Sequence, residues 1–132
     1  MLCDDKHMTA KDAANLNTLT LAYVGDAVWS LFVRERLTVG HDRKASDLHK
    51  LCSKWVNAGA QARFAEQAEG LLTEEEHAVY KRGCNANAHH KAKNQTYFDY
   101  RKATGMEAVI GYLYLCGNTE RIGVLLDRQQ VE

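Results

Sequence analysis

Two acidic residues sit where an acid is costly. Asp26 lies within Leu21-Ala22-Tyr23-Val24-Gly25-Asp26-Ala27-Val28, and Glu107 within Gly105-Met106-Glu107-Ala108-Val109-Ile110-Gly111-Tyr112-Leu113. An unpaired carboxylate is expensive to bury among apolar groups, so each asks for a reason. Each also has a small neighbour. Gly25 precedes Asp26, and Gly111 lies one turn after Glu107 on the same helical face. A glycine inside a helix costs about 1 kcal/mol relative to alanine, which suggests that a partner helix or a substrate packs very close. If the two helices cross at these glycines, the carboxylates converge. Two convergent carboxylates with open coordination positions suit Mg²⁺, which takes oxygen ligands and keeps several waters. Such an ion can activate water and neutralise phosphate charge, which is the chemistry of phosphodiester hydrolysis. The plain alternative is that each acid points outward or pairs with Arg or Lys. Helical periodicity places Asp26 well round from the main apolar stripe.

The elements that would position these acids are helices. Leu21, Val24, Val28, Leu31 and Phe32 recur near helical period and predict a helix over 15–37, capped by Asn17 or Thr18. Gly40 and the charged residues 41–44 end it. A second helical stretch starts at Ser46 with Leu48, Leu51, Trp55 and Val56 on one side, and weakens at 57–59. Residues 60–68 resume as an Ala/Gln-rich helix that stops by Gly70. Thr73 to Glu76 forms a capping box ahead of a short helix ending near Arg82. Residues 83–95 lack apolar periodicity and read as a loop. A long helix follows over 97–116, with a break at Thr104-Gly105, and a last helix covers 119–128. The expectation is one all-α domain of about six or seven helices spanning 1–132, with 1–14 as a flexible lead-in.

Composition agrees. The 132 residues include 45% hydrophobic and 26% charged, ordinary for a globular chain and too apolar for disorder. No proline and 9 glycines disfavour an all-β fold. The first dozen residues are polar and carry no leader-like apolar stretch, and no apolar run reaches the roughly 20 residues of a membrane span. Cys3, Cys52, Cys84 and Cys116 make no CxxC pair, which reads as reduced thiols in the cytoplasm.

The charges balance at 17 basic and 17 acidic, which excludes a globally basic nucleic-acid binder but not a local patch. Such a patch exists. Between residues 81 and 102 stand Lys81, Arg82, Lys91, Lys93, Arg101 and Lys102, against the single acid Asp99. His89 and His90 lie among them. A stretch of this kind attracts polyanions by counterion release, and Asn94, Gln95 and Tyr97 add hydrogen-bonding and stacking groups. The plain alternative is a solvated basic loop.

Other candidates are weaker. His49 and Cys52 have the i, i+3 spacing of zinc ligands, but no second pair completes a site; a surface His beside a core Cys is the simpler reading. His89 and His90 suit phosphate contact better than acid–base catalysis. Glu74, Glu75 and Glu76 are explained by the helix dipole. Cys84 in a basic loop is a candidate reactive thiol, since cationic neighbours lower a thiol pKa. Trp29 and Trp55 fall on apolar faces, in the core or at a dimer interface.

Residues 21–28 also resemble the signature helix of the ribonuclease III catalytic domain. Tyr100-Arg101-Lys102-Ala103-Thr104-Gly105-Met106-Glu107-Ala108-Val109-Ile110-Gly111-Tyr112-Leu113-Tyr114-Leu115 is similar to that family's closing motif. Residues 81–86 and 91–94 resemble its basic loop, and the likeness runs from about residue 16 to 126. More specifically, the chain resembles the short Mini-ribonuclease III branch, which has no double-stranded-RNA-binding domain. The resemblance implies that Asp26 and Glu107 are the catalytic Mg²⁺ ligands, with Mn²⁺ as a substitute. Leu19, Ala22 and Thr104 stand where the wider family has further acids. Tyr23 matches an aromatic position at the homodimer interface, and Trp29 is the second interface candidate. Cys84, Ala92 and Met106 depart from the pattern, at positions expected to hold a basic residue, a proline and an aromatic.

The expected function is a Mg²⁺-dependent endoribonuclease on double-stranded RNA, leaving 5′-phosphate and 3′-hydroxyl ends. Lys81, Arg82, Asn85, Lys91, Lys93, Asn94 and Arg101 would hold the RNA backbone, reading A-form shape. The family resemblance implies maturation of the large-subunit (23S) ribosomal RNA precursor, with a ribosomal protein as a helper; the cysteine usage and the lack of a long apolar run lead to the expectation of a cytoplasmic protein with no membrane partner. A non-catalytic RNA-binding or ribosome-associated module of the same fold is the first alternative. An all-α nucleotide pyrophosphatase is the second; Glu66 and Glu69 have the Glu-x-x-Glu spacing it needs.

Overall fold

A computed structural model describes residue 2, residues 6–86 and residues 95–129. Among them run seven α-helices and no strand: α1 Ala10–Ala14, α2 Thr18–Thr38, α3 Ala45–Val56, α4 Ala58–Ala68, α5 Glu74–Asn85, α6 Gln95–Leu115 and α7 Thr119–Leu126. Short 3-10 turns follow α4 (Glu69–Leu71) and α7 (Asp127–Gln129).

Local chemistry explains the boundaries. The Asn17 side chain accepts from Leu19 N and caps α2. Asn57 closes α3 and opens α4, its side chain accepting from Ala60 N, so the weak spot at 57–59 is a sharp turn between two helices. The capping box of α5 is present: Glu76 N donates to the Thr73 hydroxyl, and Thr73 N to the Glu76 carboxylate. Gly117 ends α6 at φ +80, where only glycine is unstrained. Its N–H donates to Tyr114 O and that of Asn118 to Leu113 O, which satisfies the last carbonyls of the helix.

The two 21-residue helices α2 and α6 form the centre. Helices α4 and α5 pack on α6, and α3 on α2. Leu21, Trp29, Val33, Leu37, Phe64, Val79, Met106, Val109, Ile110 and Leu125 fill the core between them. Because α6 is covered on several sides, it is apolar nearly all round from Ala103 to Leu113.

Three expectations are corrected. First, a helix precedes residue 15 where the sequence suggested none: α1 is capped by Thr9, and beside it Met8 N donates to Leu115 O and an Arg82 N–H to Ala14 O. Second, α5 continues to Asn85, and Gly83 lies inside it. Third, α6 runs unbroken through Thr104-Gly105. Gly83 and Gly105 are packing positions: a Cβ on Gly83 would meet the Gly105 Cα at 2.7 Å.

Candidate active site

Helices α2 and α6 touch backbone to backbone. A Cβ at Gly25 would lie 1.7 Å from the Glu107 carbonyl oxygen, and one at Gly111 would lie 1.9 Å from the Leu21 carbonyl oxygen. Only glycine at both positions permits this approach. Gly25 therefore lies against the peptide of Glu107 itself, and the next residue, Asp26, is carried to the Glu107 side chain.

There Asp26 bears directly on the Glu107 carboxyl. Asp26 is exposed and Glu107 half-buried. Burial, followed by the hydrogen bond and charge of Asp26, pushes the Glu107 carboxyl from 4.5 up to about 8. Gln61, reaching in from α4, pulls the other way. Gln61 is buried, and its Nε2 has no hydrogen-bond partner among the described residues. Among the described residues, neither acid is paired with Lys or Arg. Within that part of the chain, no ordinary ion pair accounts for either acid.

This donor set fits a hard divalent cation. It offers carboxylate oxygens, it carries repulsion that a cation relieves, and Asp26 opens to solvent. No group of three or more His, Cys, Asp or Glu gathers among the described residues. The remaining ligands would be water and phosphate, the usual habit of Mg²⁺.

The other candidates separate. Trp29 is fully buried: its indole N–H donates to Gln129 Oε1 at 2.8 Å and its ring meets Phe64 edge-on, so it is a core residue with no surface for a partner. Tyr23 is 81% exposed. Lys81 is exposed. Arg101 Nε donates to Cys84 O and its Nη2 to Asn85 Oδ1, both at 2.6 Å, fastening the end of α5 to α6. Lys91, Lys93, Asn94, His89, His90 and Ala92 lie outside the described residues. Burial raises the Cys84 thiol pKa, overcoming Arg101, so the thiol is not activated. His49 is exposed beside buried Cys52. Glu66 pairs with Lys102 at 2.6 Å and Glu69 with His77 at 3.2 Å, which leaves the Glu-x-x-Glu spacing without a metal face. Gln61 escaped the sequence reading, because a glutamine in an Ala/Gln-rich helix looks like solvent-facing filler.

A cleft of about 520 Å³ between α3, α4 and the C-terminal turn is lined by Trp55, Arg63, Phe64 and Arg128 and holds neither carboxylate.

Known proteins complete the picture. The Ribonuclease III domain family matches residues 19–118. The Mini-ribonuclease 3 of Streptococcus pneumoniae is 44% identical over 117 residues, 87% of this chain and 91% of that protein. That of Staphylococcus aureus is 44% identical over 115 residues, 86% of each. The crystal structure of a Fusobacterium nucleatum protein matches with a TM-score of 0.73 at 30% identity, covering 86% of this chain and 91% of that one. The fold is thus the all-α ribonuclease III domain. The chain belongs to the ribonuclease III family of endoribonucleases, on its Mini-ribonuclease III branch.

Proposed function

We propose that the chain is a single-domain, divalent-metal-dependent endoribonuclease acting on double-stranded RNA, with Mg²⁺ as its ion and Mn²⁺ as a substitute. The observation that carries this reading is the meeting of Asp26 and Glu107 over the Gly25–Gly111 crossing, with no basic partner for either among the described residues.

Asp26 and Glu107 would hold the cation. The chemistry it supplies there is Lewis-acid neutralisation of the scissile phosphate and activation of the attacking water. Asp26, on the solvent side, faces the incoming phosphate. Glu107, held from behind by α2 and α4, fixes the position of the pair. Opening of the P–O3′ bond leaves a 5′-phosphate and a 3′-hydroxyl.

Lys81, Arg82, Asn85, Lys91, Lys93, Asn94 and Arg101 are the proposed RNA-backbone contacts. Among the described residues Arg82 makes one side-chain hydrogen bond and Arg101 two, of the five N–H donors each guanidinium carries. Leu19, Tyr23 and Leu31 are exposed on one line of α2, four and eight residues apart, a face suited to a second copy across a two-fold axis. The substrate we propose is the 23S precursor, in the cytoplasm, with a ribosomal protein as helper.

The test is cleavage of a labelled RNA duplex with Mg²⁺ at low salt, comparing wild type with Asp26→Asn and Glu107→Gln. Each variant is expected to lose at least about a hundredfold in single-turnover rate while still binding the duplex. Binding without wild-type cleavage would indicate the non-catalytic module instead. Equal cleavage by all three would remove the carboxylates from the chemistry.

A further inference from the structure

We propose that Gln61 is a positioning residue for Glu107: its amide Nε2 donates to the carboxylate oxygen that a cation ligated by Glu107 leaves free. The proposal rests on the metal-dependent reading above and adds a residue to it.

Three observations carry it. Gln61 is 3% exposed, and its Nε2 is buried without a hydrogen-bond acceptor among the described residues. Buried amide groups are nearly always paired, and an orphan donor asks for a functional account. The rest of the buried face of α4 is Ala60, Ala62, Phe64, Ala65 and Ala68, so Gln61 is its one buried polar side chain. Finally, the group that Gln61 faces is Glu107, on the α6 helix against which α4 packs.

A site with only two protein carboxylates has little to hold it rigid. Carboxylates that ligate a metal are themselves hydrogen-bonded by neighbouring groups, and removing such a neighbour typically costs about 10–100-fold in metal affinity or activity. Asp26 from α2 and Gln61 from α4 both act on the Glu107 carboxyl. Helix α4 packs on α6 largely through alanines, and Gln61 is buried among them. A carboxylate turned towards a cation with one oxygen offers the second to Nε2, which satisfies the donor and sets the carboxylate plane.

The experiment compares wild type with Gln61→Met, which keeps the bulk and removes the donor, and with Gln61→Leu as a second apolar shape. Bound Mn²⁺ is counted by electron paramagnetic resonance without RNA, cation-free Tm is measured, and cleavage is followed against Mg²⁺ concentration. The expected result is Mn²⁺ affinity about 10–100-fold weaker. With it should come an unchanged or higher cation-free Tm, an unchanged KM for the duplex, and a kcat that recovers at high Mg²⁺. A merely structural glutamine would lower Tm and leave Mn²⁺ affinity alone. Wild-type-like Mn²⁺ affinity in both variants overturns the role of Gln61 while the metal reading stands. Failure of wild type itself to bind Mn²⁺ overturns the metal reading and Gln61's role together.

Discussion

Glu107 answers to two opposed demands. Without a cation, burial and the neighbouring Asp26 favour its neutral form, with the carboxyl at about 8. With a cation, the ionised form is needed. The unfolded chain ionises the same group near 4.5, so between about 4.5 and 8 the folded state holds a proton that the unfolded state has released. The contribution of neutral Glu107 is full below that window and is lost as pH rises through it. The cation-free protein is therefore expected to lose Tm as pH rises from about 5 to 8, and Glu107→Gln to flatten this slope and raise Tm at the alkaline end. Denaturation scans in chelator across that range check it; an unchanged slope would sever Glu107 from the effect. At this scale the two acids were legible in the sequence, because a carboxylate in an apolar segment violates a strong rule. Gln61 was not, since its significance lies in what α6 places opposite it. Trp29 was ambiguous for the same reason: an aromatic on an apolar face does not say whether its own chain or another covers it.

Among the elements, the glycines separate into those that packing requires and those it does not. Gly25 and Gly111 stand against main chain that cannot yield. Gly25→Ala is expected to cost at least about 3 kcal/mol, at or beyond the upper end of ordinary overpacking, and to abolish cleavage by separating the two acids. Gly123, inside α7, has open space where a Cβ would stand, with nothing within 4 Å. There alanine should stabilise by about 0.4–1 kcal/mol. Urea unfolding of the pair measures both signs. Helix α7 is joined to α5 by Arg121, which binds both oxygens of the buried Glu76 at 2.9 Å and also donates to Leu71 O. Arg121→Ala leaves that carboxylate unpaired and is expected to cost about 3–5 kcal/mol by the same measurement. The long helices and the capping box were readable from period and cap chemistry. Helix α1 was not, since five residues carry no period. The extension of α5 and the continuity of α6 were missed because glycine reads locally as a breaker, whereas Gly83 and Gly105 serve each other across the interface.

For the whole molecule, the exposed line of Leu19, Tyr23 and Leu31 bears on assembly. If this face joins two copies, Tyr23→Asp should turn a dimer into a monomer in sedimentation velocity with its helical circular dichroism intact; a monomeric wild type would sink the assignment. The helix crossing has a consequence for behaviour on heating. The two acids ride on main chains in mutual contact at the centre of the fold, and no hinge or loop lies between them and that contact. Side chains can loosen without changing the gap between them, but the gap cannot open unless α2 and α6 part, and parting them dissolves the core. Thermal inactivation and thermal unfolding should accordingly share one midpoint, with no temperature at which the protein is folded yet its acids have drifted apart.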